Sequence, residues 1–140
     1  MDYLSGGSLL EVLRTNRDFE ERHIAFILKN ILRGLSYIHK KGLIHRDLKS
    51  ANIMLGAAAE IYIIDFGLCT STDNSKGMVG SPFWMPPEMM NQQLNSQASD
   101  IWSLGIITLE MAEGEPPHHH SAVCAMFNVA IGKIPTFSEP

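Results

Sequence analysis

The sequence predicts an α+β fold that is mainly helical and carries a small hairpin-like sheet. A long amphipathic helix is predicted over residues 24–38, where apolar side chains recur with a period of about 3.6 residues. Short apolar runs bounded by turns follow at 43–44, 53–55 and 61–64, which is typical of short strands. The most apolar run, 101–112, includes polar residues and is too short to cross a bilayer, so it is predicted to be a buried helix.

Length, charge and cysteine content bound the class of protein. One domain, or part of one, is expected from 140 residues of which 45% are hydrophobic. The formal net charge of -4 argues against nucleic acid as a partner, because nucleic-acid-binding domains usually present a basic surface. Cys69 and Cys124 lie far apart without a CxxC pattern, so neither a disulfide framework nor a zinc site is expected. A reducing cytoplasmic location follows, with the nucleus left open, and the N-terminus lacks a secretory-signal pattern.

The helix ends carry recognisable capping residues. Ser8 is a suitable N-cap for a short helix over residues 9–13. Asp18 and Glu21 have capping-box spacing before the long helix. That helix closes with two lysines followed by Gly42, a residue that tolerates the left-handed turn conformation.

The second half of the chain alternates a long loop with further helices. Residues 68–87 are rich in Ser, Thr, Asp, Asn, Gly and Pro and lack a period. They therefore predict a loop of about 20 residues, a length that is uncommon in compact domains and usually functional. Helices are predicted to resume over residues 87–90, 99–113 and 122–131.

Two short motifs contain the residues that could take part in a chemical reaction. Residues 45–52 read HRDLKSAN, and a DFG triplet begins at Asp65. If two adjacent strand ends bring the motifs together, the site contains two carboxylates, one amide and one cation, namely Asp47, Asp65, Asn52 and Lys49. Phosphoryl transfer needs this set: a carboxylate near the attacking hydroxyl, oxygen ligands for Mg²⁺, and a positive charge for the moving phosphoryl group.

These motifs resemble the protein-kinase signature HRDLKxxN followed by DFG. Residues 80–88, GSPFWMPPE, look like the end of a kinase activation segment, and residues 100–105, DIWSLG, look like the start of the helix that anchors the catalytic loop. The resemblance covers essentially the whole chain. It implies a protein-kinase-like fold in which residues 1–140 form the mainly helical C-terminal lobe, with the N-terminal lobe and the final helices missing.

The resemblance also implies roles for individual residues. Asp47 would be the catalytic base, and Lys49 would contact the transferred phosphate of ATP. Asn52 and Asp65 would hold Mg²⁺. Lysine two positions after the aspartate is the serine/threonine-kinase pattern, so serine or threonine of a protein substrate is the expected acceptor. Ser81 stands where threonine is usual, and its hydroxyl would bridge Asp47 and Lys49.

Finer features resemble the Sterile-20-like kinases, including their PAK-like members. They lie at residues 1–9, 65–69, 78–82 and 114–117. In that alignment Met1 would be the gatekeeper, Asp2, Tyr3 and Leu4 would form the hinge that hydrogen-bonds adenine, and Met54 would pack beneath the adenine ring. Small GTPases or other kinases are the upstream regulators that this resemblance implies.

Control of activity departs from the family pattern. Arg46 would receive an activating phosphate, but Gly77 occupies the position where many Sterile-20-like kinases place the phosphorylated threonine. Ser71, Thr72 and Ser75 lie upstream and are alternative acceptors, although a hydroxyl residue in a polar loop is more often simply solvated.

Several residues near the motifs are expected to be structural. His45, Phe66 and Gly67 are interpreted as packing and turn residues. Asp100 is interpreted as an N-cap of the following helix, and its family position implies that its carboxylate also binds the backbone of the HRD motif. Glu88 lacks the arginine that usually pairs with it, so it is expected to be solvated or strained.

Two other residue groups have a plain interpretation beside a functional one. The three consecutive histidines at 118–120 suggest a metal site, but a solvated loop is the preferred interpretation because neighbouring residues cannot all face one ion without strain. Cys69 is either a redox-active thiol or a small hydrophobic residue beside the site, and the second is preferred.

Two functional hypotheses therefore stand. The chain belongs to an active kinase, or it is a catalytically inactive lobe that serves as a binding or decoy module. The absence of a glycine-rich loop, a VAIK lysine and the glutamate-bearing helix favours inactivity of the chain taken alone. Apolar surface left uncovered by a missing lobe predicts a marginally stable chain that tends to associate.

Overall fold

The computed structural model describes residues 6–16, 19–72 and 75–138, and that part of the chain is mainly helical. Its five α-helices are α1 (Leu9–Thr15), α2 (Glu21–Lys40), α3 (Pro87–Met90), α4 (Gln97–Glu113) and α5 (Ala122–Ala130). Its four strands are β1 (Leu43–Ile44), β2 (Ile53–Leu55), β3 (Ile61–Ile63) and β4 (Thr70–Ser71). They form two antiparallel pairs, β1 with β4 and β2 with β3. Within the described ranges, no helix has the length and apolar character needed to cross a membrane.

Helix α1 begins at the predicted cap. The Ser8 Oγ accepts a hydrogen bond from the Glu11 N–H at 3.2 Å, and the Ser8 N–H donates to Glu11 Oε2 at 2.7 Å. This reciprocal pair satisfies two backbone donors that a helix N-terminus would otherwise leave unpaired. The prediction of a short helix is confirmed, and the helix extends to Thr15.

Helix α2 is the predicted long amphipathic helix. Its N-cap is Glu20, whose backbone N–H donates to His23 Nδ1 at 3.4 Å. Asp18, the predicted cap, lies outside the described residues. The helix ends at Lys40, and Gly42, two residues later, has a φ of 72°, the left-handed conformation expected there.

The two hairpin-like pairs have different origins in the sequence. Strands β2 and β3 pair Ile53 with Ile63, as the apolar runs predict. Strand β4 lies inside the predicted loop, and that part of the loop prediction is wrong. Its Thr70 pairs with Ile44 of β1, so contact with a distant strand, rather than local composition, makes it extended.

Helix α4 starts two residues earlier than predicted. Ser96 is its N-cap and accepts from the Ala98 N–H at 3.2 Å. The interpretation of Asp100 as the N-cap is therefore wrong, since Asp100 lies inside the first turn. Helix α4 ends at Glu113 and is capped by Gly114, whose φ is 85°.

One core lies among α1, α2 and α4 and extends under the HRD motif. Its fully or nearly buried members are Leu9, Leu13, Ile27, Ile31, Leu35, Ile38, Leu48, Ile53, Leu104, Ile107 and Met111. Leu48 comes from the motif itself and is 0% exposed. The motif is therefore anchored by apolar burial on one side while its neighbouring polar residues face the other way.

Candidate active site

The HRD loop, residues 45–52, is held from below by a carboxylate of α4. Asp100 is 0% exposed; its Oδ2 accepts from the His45 N–H at 3.0 Å and its Oδ1 accepts from the Arg46 N–H at 2.9 Å. His39 Nε2 of α2 lies 2.7 Å from the same Oδ2. Hydrogen bonds to a charged group are stronger than neutral ones, so this carboxylate fixes the backbone at the start of the loop.

Alternation along the extended backbone places two polar side chains on the open side of the loop. Lys49 has φ -159° and ψ 163°, so successive side chains point in opposite directions. Leu48 enters the core, whereas Asp47 and Lys49 lie at 11% and 25% side-chain exposure. The loop therefore presents a carboxylate and an ammonium group side by side.

Ser81 links these two groups. Its Oγ donates to Asp47 Oδ1 at 2.8 Å and accepts from Lys49 Nζ at 2.7 Å. Lys49 Nζ also lies 3.1 Å from Asp47 Oδ2, and Asn52 Nδ2 donates to the Asp47 backbone carbonyl at 2.9 Å. The structure thus brings Asp47, Lys49, Asn52 and Ser81 into one polar cluster.

The approach of Ser81 depends on the glycine before it. Gly80 has φ 107°, and a Cβ at this position would lie 2.6 Å from the Arg46 carbonyl oxygen. Only a residue without a side chain combines this conformation with this contact. Gly80 therefore lets residues 80–88, here called the GSP segment, meet the HRD loop.

The DFG turn, residues 65–67, lies beside Asn52. The Ile64 N–H donates to the Asn52 carbonyl at 2.9 Å, which places Asp65 on the neighbouring strand end. Asp65 is exposed, has a left-handed backbone with φ 61°, and accepts from the Gly67 N–H at 3.3 Å. Such backbone strain occurs most often at functional sites.

Phe66 differs from its predicted core role. Its ring packs edge-on against His45 at a centroid distance of 5.0 Å, but 46% of the residue is exposed. His45 itself is 0% exposed, and its Nε2 lies 3.0 Å from the Ile64 carbonyl. The packing role thus holds for His45, while Phe66 packs with one side only.

Arg46 connects the HRD loop to the residues after the DFG turn. Its Nε donates to the Leu68 carbonyl at 2.7 Å, and its own backbone has φ 68°. Of the alternative phosphate acceptors, Ser75 is 0% exposed and its hydroxyl donates to the Asn95 carbonyl. In this arrangement Ser75 is inaccessible, so its interpretation as an acceptor is corrected. Thr72 is exposed.

Glu88 is neither fully solvated nor left without a partner. It is half-buried, and its Oε1 accepts from the Ser99 hydroxyl at 2.7 Å. Glu88 is therefore partly solvated and has one neutral hydrogen-bonding partner among the described residues. The donor is a neutral hydroxyl at the start of α4.

Glu110 is a site-supporting residue that sequence reasoning missed. It is 1% exposed, and its carboxylate accepts from Ser50 Oγ at 2.6 Å and from Trp84 Nε1 at 2.9 Å. Burial raises the pKa of Glu110 to about 6, while the two hydrogen bonds act in the opposite direction. The available signal was a glutamate inside the most apolar run of the chain.

The two plain interpretations of Cys69 and the histidines can be compared with the structure. Cys69 is partly buried, and burial raises the pKa of its thiol, with Asp100 adding to the effect, which disfavours the reactive thiolate. His118 Nε2 lies 3.3 Å from Asn128 Nδ2. Across the described ranges, no group of three or more His, Cys, Asp or Glu residues is arranged to hold a metal ion.

The donor chemistry of Asn52 and Asp65 nevertheless fits Mg²⁺, which accepts a few protein oxygens and keeps water in its other positions. Asn52 uses its amide nitrogen as a donor toward Asp47, and oxygen is the ligand atom that an amide offers a metal. The Asp65 carboxylate is exposed next to it along the paired backbone.

The predicted adenine site is only partly described. Met1, Asp2, Tyr3 and Leu4 lie outside the described residues. The segment that follows them runs alongside β2, because the Gly6 N–H donates to the Leu55 carbonyl at 3.1 Å and Ser8 forms a bridge with Met54. Half-buried Met54 therefore lies next to the continuation of the predicted hinge.

Comparison with known proteins agrees with this fold. A profile of the protein kinase domain matches residues 1–138, so the chain belongs to the protein kinase family. The predicted kinase-like fold is confirmed.

Its relatives place it within the family, near serine/threonine kinases of the Sterile-20-like and PAK-like group. It is 45% identical over 142 residues to the probable serine/threonine-protein kinase mkcB of Dictyostelium discoideum, covering 100% of this chain and 20% of mkcB. It is 42% identical over 147 residues to CLA4 of Candida albicans and 41% identical over 145 residues to shk1/pak1 of Schizosaccharomyces pombe, covering 100% of this chain each time. The chain spans 15% of CLA4 and 22% of shk1/pak1.

Proposed function

We propose that this chain forms the active-site part of a kinase that transfers the γ-phosphate of ATP to serine or threonine hydroxyls of protein substrates. The observation that carries the proposal is the cluster in which the Ser81 hydroxyl joins the Asp47 carboxylate to the Lys49 ammonium at 2.8 and 2.7 Å. An acid and a cation held this close suit a reaction that removes a proton from a hydroxyl and gathers charge on a phosphoryl group.

In the proposed reaction the substrate hydroxyl oxygen attacks the γ-phosphorus of ATP. The new O–P bond forms as the bond between the γ-phosphorus and the bridging oxygen of ADP breaks, and the hydroxyl proton passes to Asp47. Lys49 stabilises the charge on the phosphoryl oxygens during transfer. Asn52 and Asp65 would hold Mg²⁺, which when bound screens the negative charge of the phosphates.

Positioning carries most of the catalysis in phosphoryl transfer, and the HRD loop supplies it. The loop backbone is fixed by Asp100, the Asp47 carboxylate accepts a hydrogen bond from the Ser81 hydroxyl, and the Asn52 amide donates to the Asp47 backbone carbonyl. Asp47 therefore has little freedom to turn away from an incoming hydroxyl. The choice of serine or threonine as acceptor is supported by Lys49 and by the similarity to the serine/threonine-protein kinases mkcB and shk1/pak1.

The nucleotide base is proposed to lie against Met54, with Met1 as gatekeeper and the Asp2, Tyr3 and Leu4 backbone hydrogen-bonded to adenine. Support comes from the likeness to the PAK-like group and from the position of residues 6–8 beside β2.

Regulation and location complete the proposal. Small GTPases or upstream kinases are proposed as regulators, in signalling within the cytoplasm or nucleus, on the basis of likeness to the PAK-like group. Fluorescence microscopy of the fluorescently tagged longer protein tests the proposed cytoplasmic or nuclear location.

The test is transfer of labelled γ-phosphate from ATP to a basic protein in the presence of magnesium. It is applied to the 140-residue chain and to a longer polypeptide in which a glycine-rich loop and a small-lobe lysine precede it. Asp47→Asn should lower transfer by the longer polypeptide about 10²- to 10⁴-fold, the usual contribution of a general base. Asp65→Ala should abolish it, and Glu21→Gln, at an exposed site, should leave it unchanged. Transfer that survives Asp47→Asn refutes the assigned role.

A binding module remains the second candidate because the described surface carries large exposed apolar side chains. The most exposed are Val123 at 77%, Ile134 at 77%, Tyr37 at 67% and Phe127 at 62%. Exposed large apolar side chains are the material of a partner site or an association site when they adjoin one another. Absence of transfer from the longer polypeptide, together with retained capture of protein substrates, would favour this candidate over the enzyme.

A further inference from the structure

Glu110 of α4 connects two segments of the candidate active site. Its Oε1 accepts from the Ser50 hydroxyl of the HRD loop at 2.6 Å, and its Oε2 accepts from Trp84 Nε1 of the GSP segment at 2.9 Å. Ser50 directly follows Lys49, and Trp84 lies three residues after Ser81. The carboxylate therefore joins the same two segments that meet at the proposed reaction centre.

The surroundings of Glu110 make these two hydrogen bonds its main stabilising contacts. Glu110 is 1% exposed, and no salt bridge to it is found in the described part of the chain. Among charged groups, Glu115 acts on it unfavourably. A buried carboxylate without an opposite charge is kept only when hydrogen bonds satisfy it. Both of its oxygens are satisfied, each by a different segment.

Helix α4 holds the GSP segment at a second point as well. Ser103 Oγ donates to the Trp84 carbonyl at 2.8 Å, so α4 contacts both the backbone and the side chain of Trp84. Asp100, Ser103 and Glu110 follow the spacing of one helix face, with steps of three and seven residues. One face of a buried helix thus presents three polar groups to the site.

We propose that Glu110 is a positioning residue that couples the HRD loop to the GSP segment, so that the Lys49–Ser81–Asp47 contacts form together. The value of this coupling for phosphate transfer rests on the proposed function. The coupling itself is a property of the folded chain and is measured without phosphate transfer.

The hydrogen-bond chemistry predicts how substitutions behave. Trp84 Nε1 can only donate, so Glu110 Oε2 must remain an acceptor. The Ser50 hydroxyl can donate or accept, so when Glu110 is protonated at Oε1 the hydroxyl rotates and accepts from it. In Glu110→Gln the amide oxygen can face Trp84 and the amide nitrogen can donate to Ser50. Glutamine therefore retains both contacts and loses the titration, whereas leucine of similar volume loses both contacts.

The experiment measures solvent exchange of the two indole N–H groups by nuclear magnetic resonance in the ¹⁵N-labelled chain. Glu110→Leu should accelerate exchange of the Trp84 indole about tenfold or more, because a hydrogen bond to a charged group is lost. Glu110→Gln should leave it within about twofold of the parent. The same replacement at exposed Glu21, Glu21→Leu, is the matched control. Unchanged Trp84 exchange in folded Glu110→Leu would overturn the proposal.

A milder variant keeps the test decisive if Glu110→Leu does not fold. The Trp84 indole resonance should titrate in the parent with a midpoint near 6 and be flat in Glu110→Gln. Ser50→Ala removes a hydrogen bond that lowers the pKa of Glu110, so the midpoint at Trp84 should move upward. If the titration midpoint of the Trp84 indole resonance is the same in Ser50→Ala as in the parent, the two segments are not coupled through Glu110. None of these measurements requires ATP, so their failure is distinct from failure of the proposed kinase activity.

Discussion

The most informative single substitution is Asp100→Asn. In the parent, Oδ2 accepts from the His45 N–H at 3.0 Å and Oδ1 accepts from the Arg46 N–H at 2.9 Å. Asparagine offers one oxygen and one NH₂ group, so either side-chain orientation turns a donor toward one backbone N–H. One buried or partly buried donor is then unsatisfied, at about 1–3 kcal/mol, and the remaining bond loses its charge, at about 1 kcal/mol. The free energy of unfolding should fall by about 2–4 kcal/mol.

The assay is urea unfolding followed by far-ultraviolet circular dichroism. With an m value of about 2 kcal/mol/M, the midpoint should fall by about 1–2 M at unchanged m. Asp65→Asn is the matched control, because Asp65 is exposed and an amide oxygen still accepts from the Gly67 N–H, so its free energy of unfolding should stay within about 0.5 kcal/mol. If Asp100→Asn unfolds at the parental midpoint, the argument that this carboxylate anchors the HRD loop is wrong.

Ser81, Gly80 and Glu110 each give a further prediction. Ser81→Ala removes the donor to Asp47 Oδ1 and should lower phosphate transfer by the longer polypeptide about tenfold, whereas Ser81→Thr should retain the parental rate. Equal rates for Ser81→Ala and the parent in a radiometric assay would contradict this. Gly80→Ala places a Cβ 2.6 Å from the Arg46 carbonyl oxygen at a residue with φ 107°, so it should lower the free energy of unfolding by about 1–3 kcal/mol. An unchanged midpoint in the urea assay would contradict this prediction. Burial raises the pKa of Glu110 from 4.5 to about 6, so its protonation stabilises the fold below pH 4.5 and that stabilisation is lost as the pH rises through 6. The stability of the parent minus that of Glu110→Gln should therefore fall by about 2 kcal/mol from pH 4 to pH 7, and a pH-independent difference would contradict the burial argument.

The helices could be predicted from sequence because their signals are local. Ser8 and Glu11 satisfy each other within one helical turn, and Gly42 ends α2 through its own backbone conformation. Such features depend on neighbours in the chain, which periodicity and capping rules describe. The cap of α4 was missed for a related reason: Ser96 and Ser99 both suit a helix start, and local sequence does not choose between them.

The features that escaped prediction depend on contacts between distant parts of the chain. Thr70 and Ser71 are polar residues in a loop-like sequence, and they become a strand only because β1 lies beside them. Ser75 has the composition of a solvated loop residue, yet it is buried against Asn95, 20 positions later. Phe66 is apolar but half exposed, since its described packing partner covers one side of the ring.

The candidate site shows both kinds of dependence. The motifs identified Asp47, Lys49, Asn52 and Asp65, but not the means by which they are held in place. That support comes from α4, a helix whose sequence is dominated by apolar residues and whose few buried polar side chains would each be unfavourable without partners. Each of them has a hydrogen-bonding partner in one of two segments. Asp100 accepts from the HRD loop backbone, Ser99 donates to Glu88, Ser103 donates to the Trp84 carbonyl, and Glu110 accepts from Ser50 and Trp84. A polar residue in a strongly apolar helix is therefore a signal worth following, because its burial requires a hydrogen-bonding partner elsewhere, and here the partners lie in the two segments that form the proposed reaction centre.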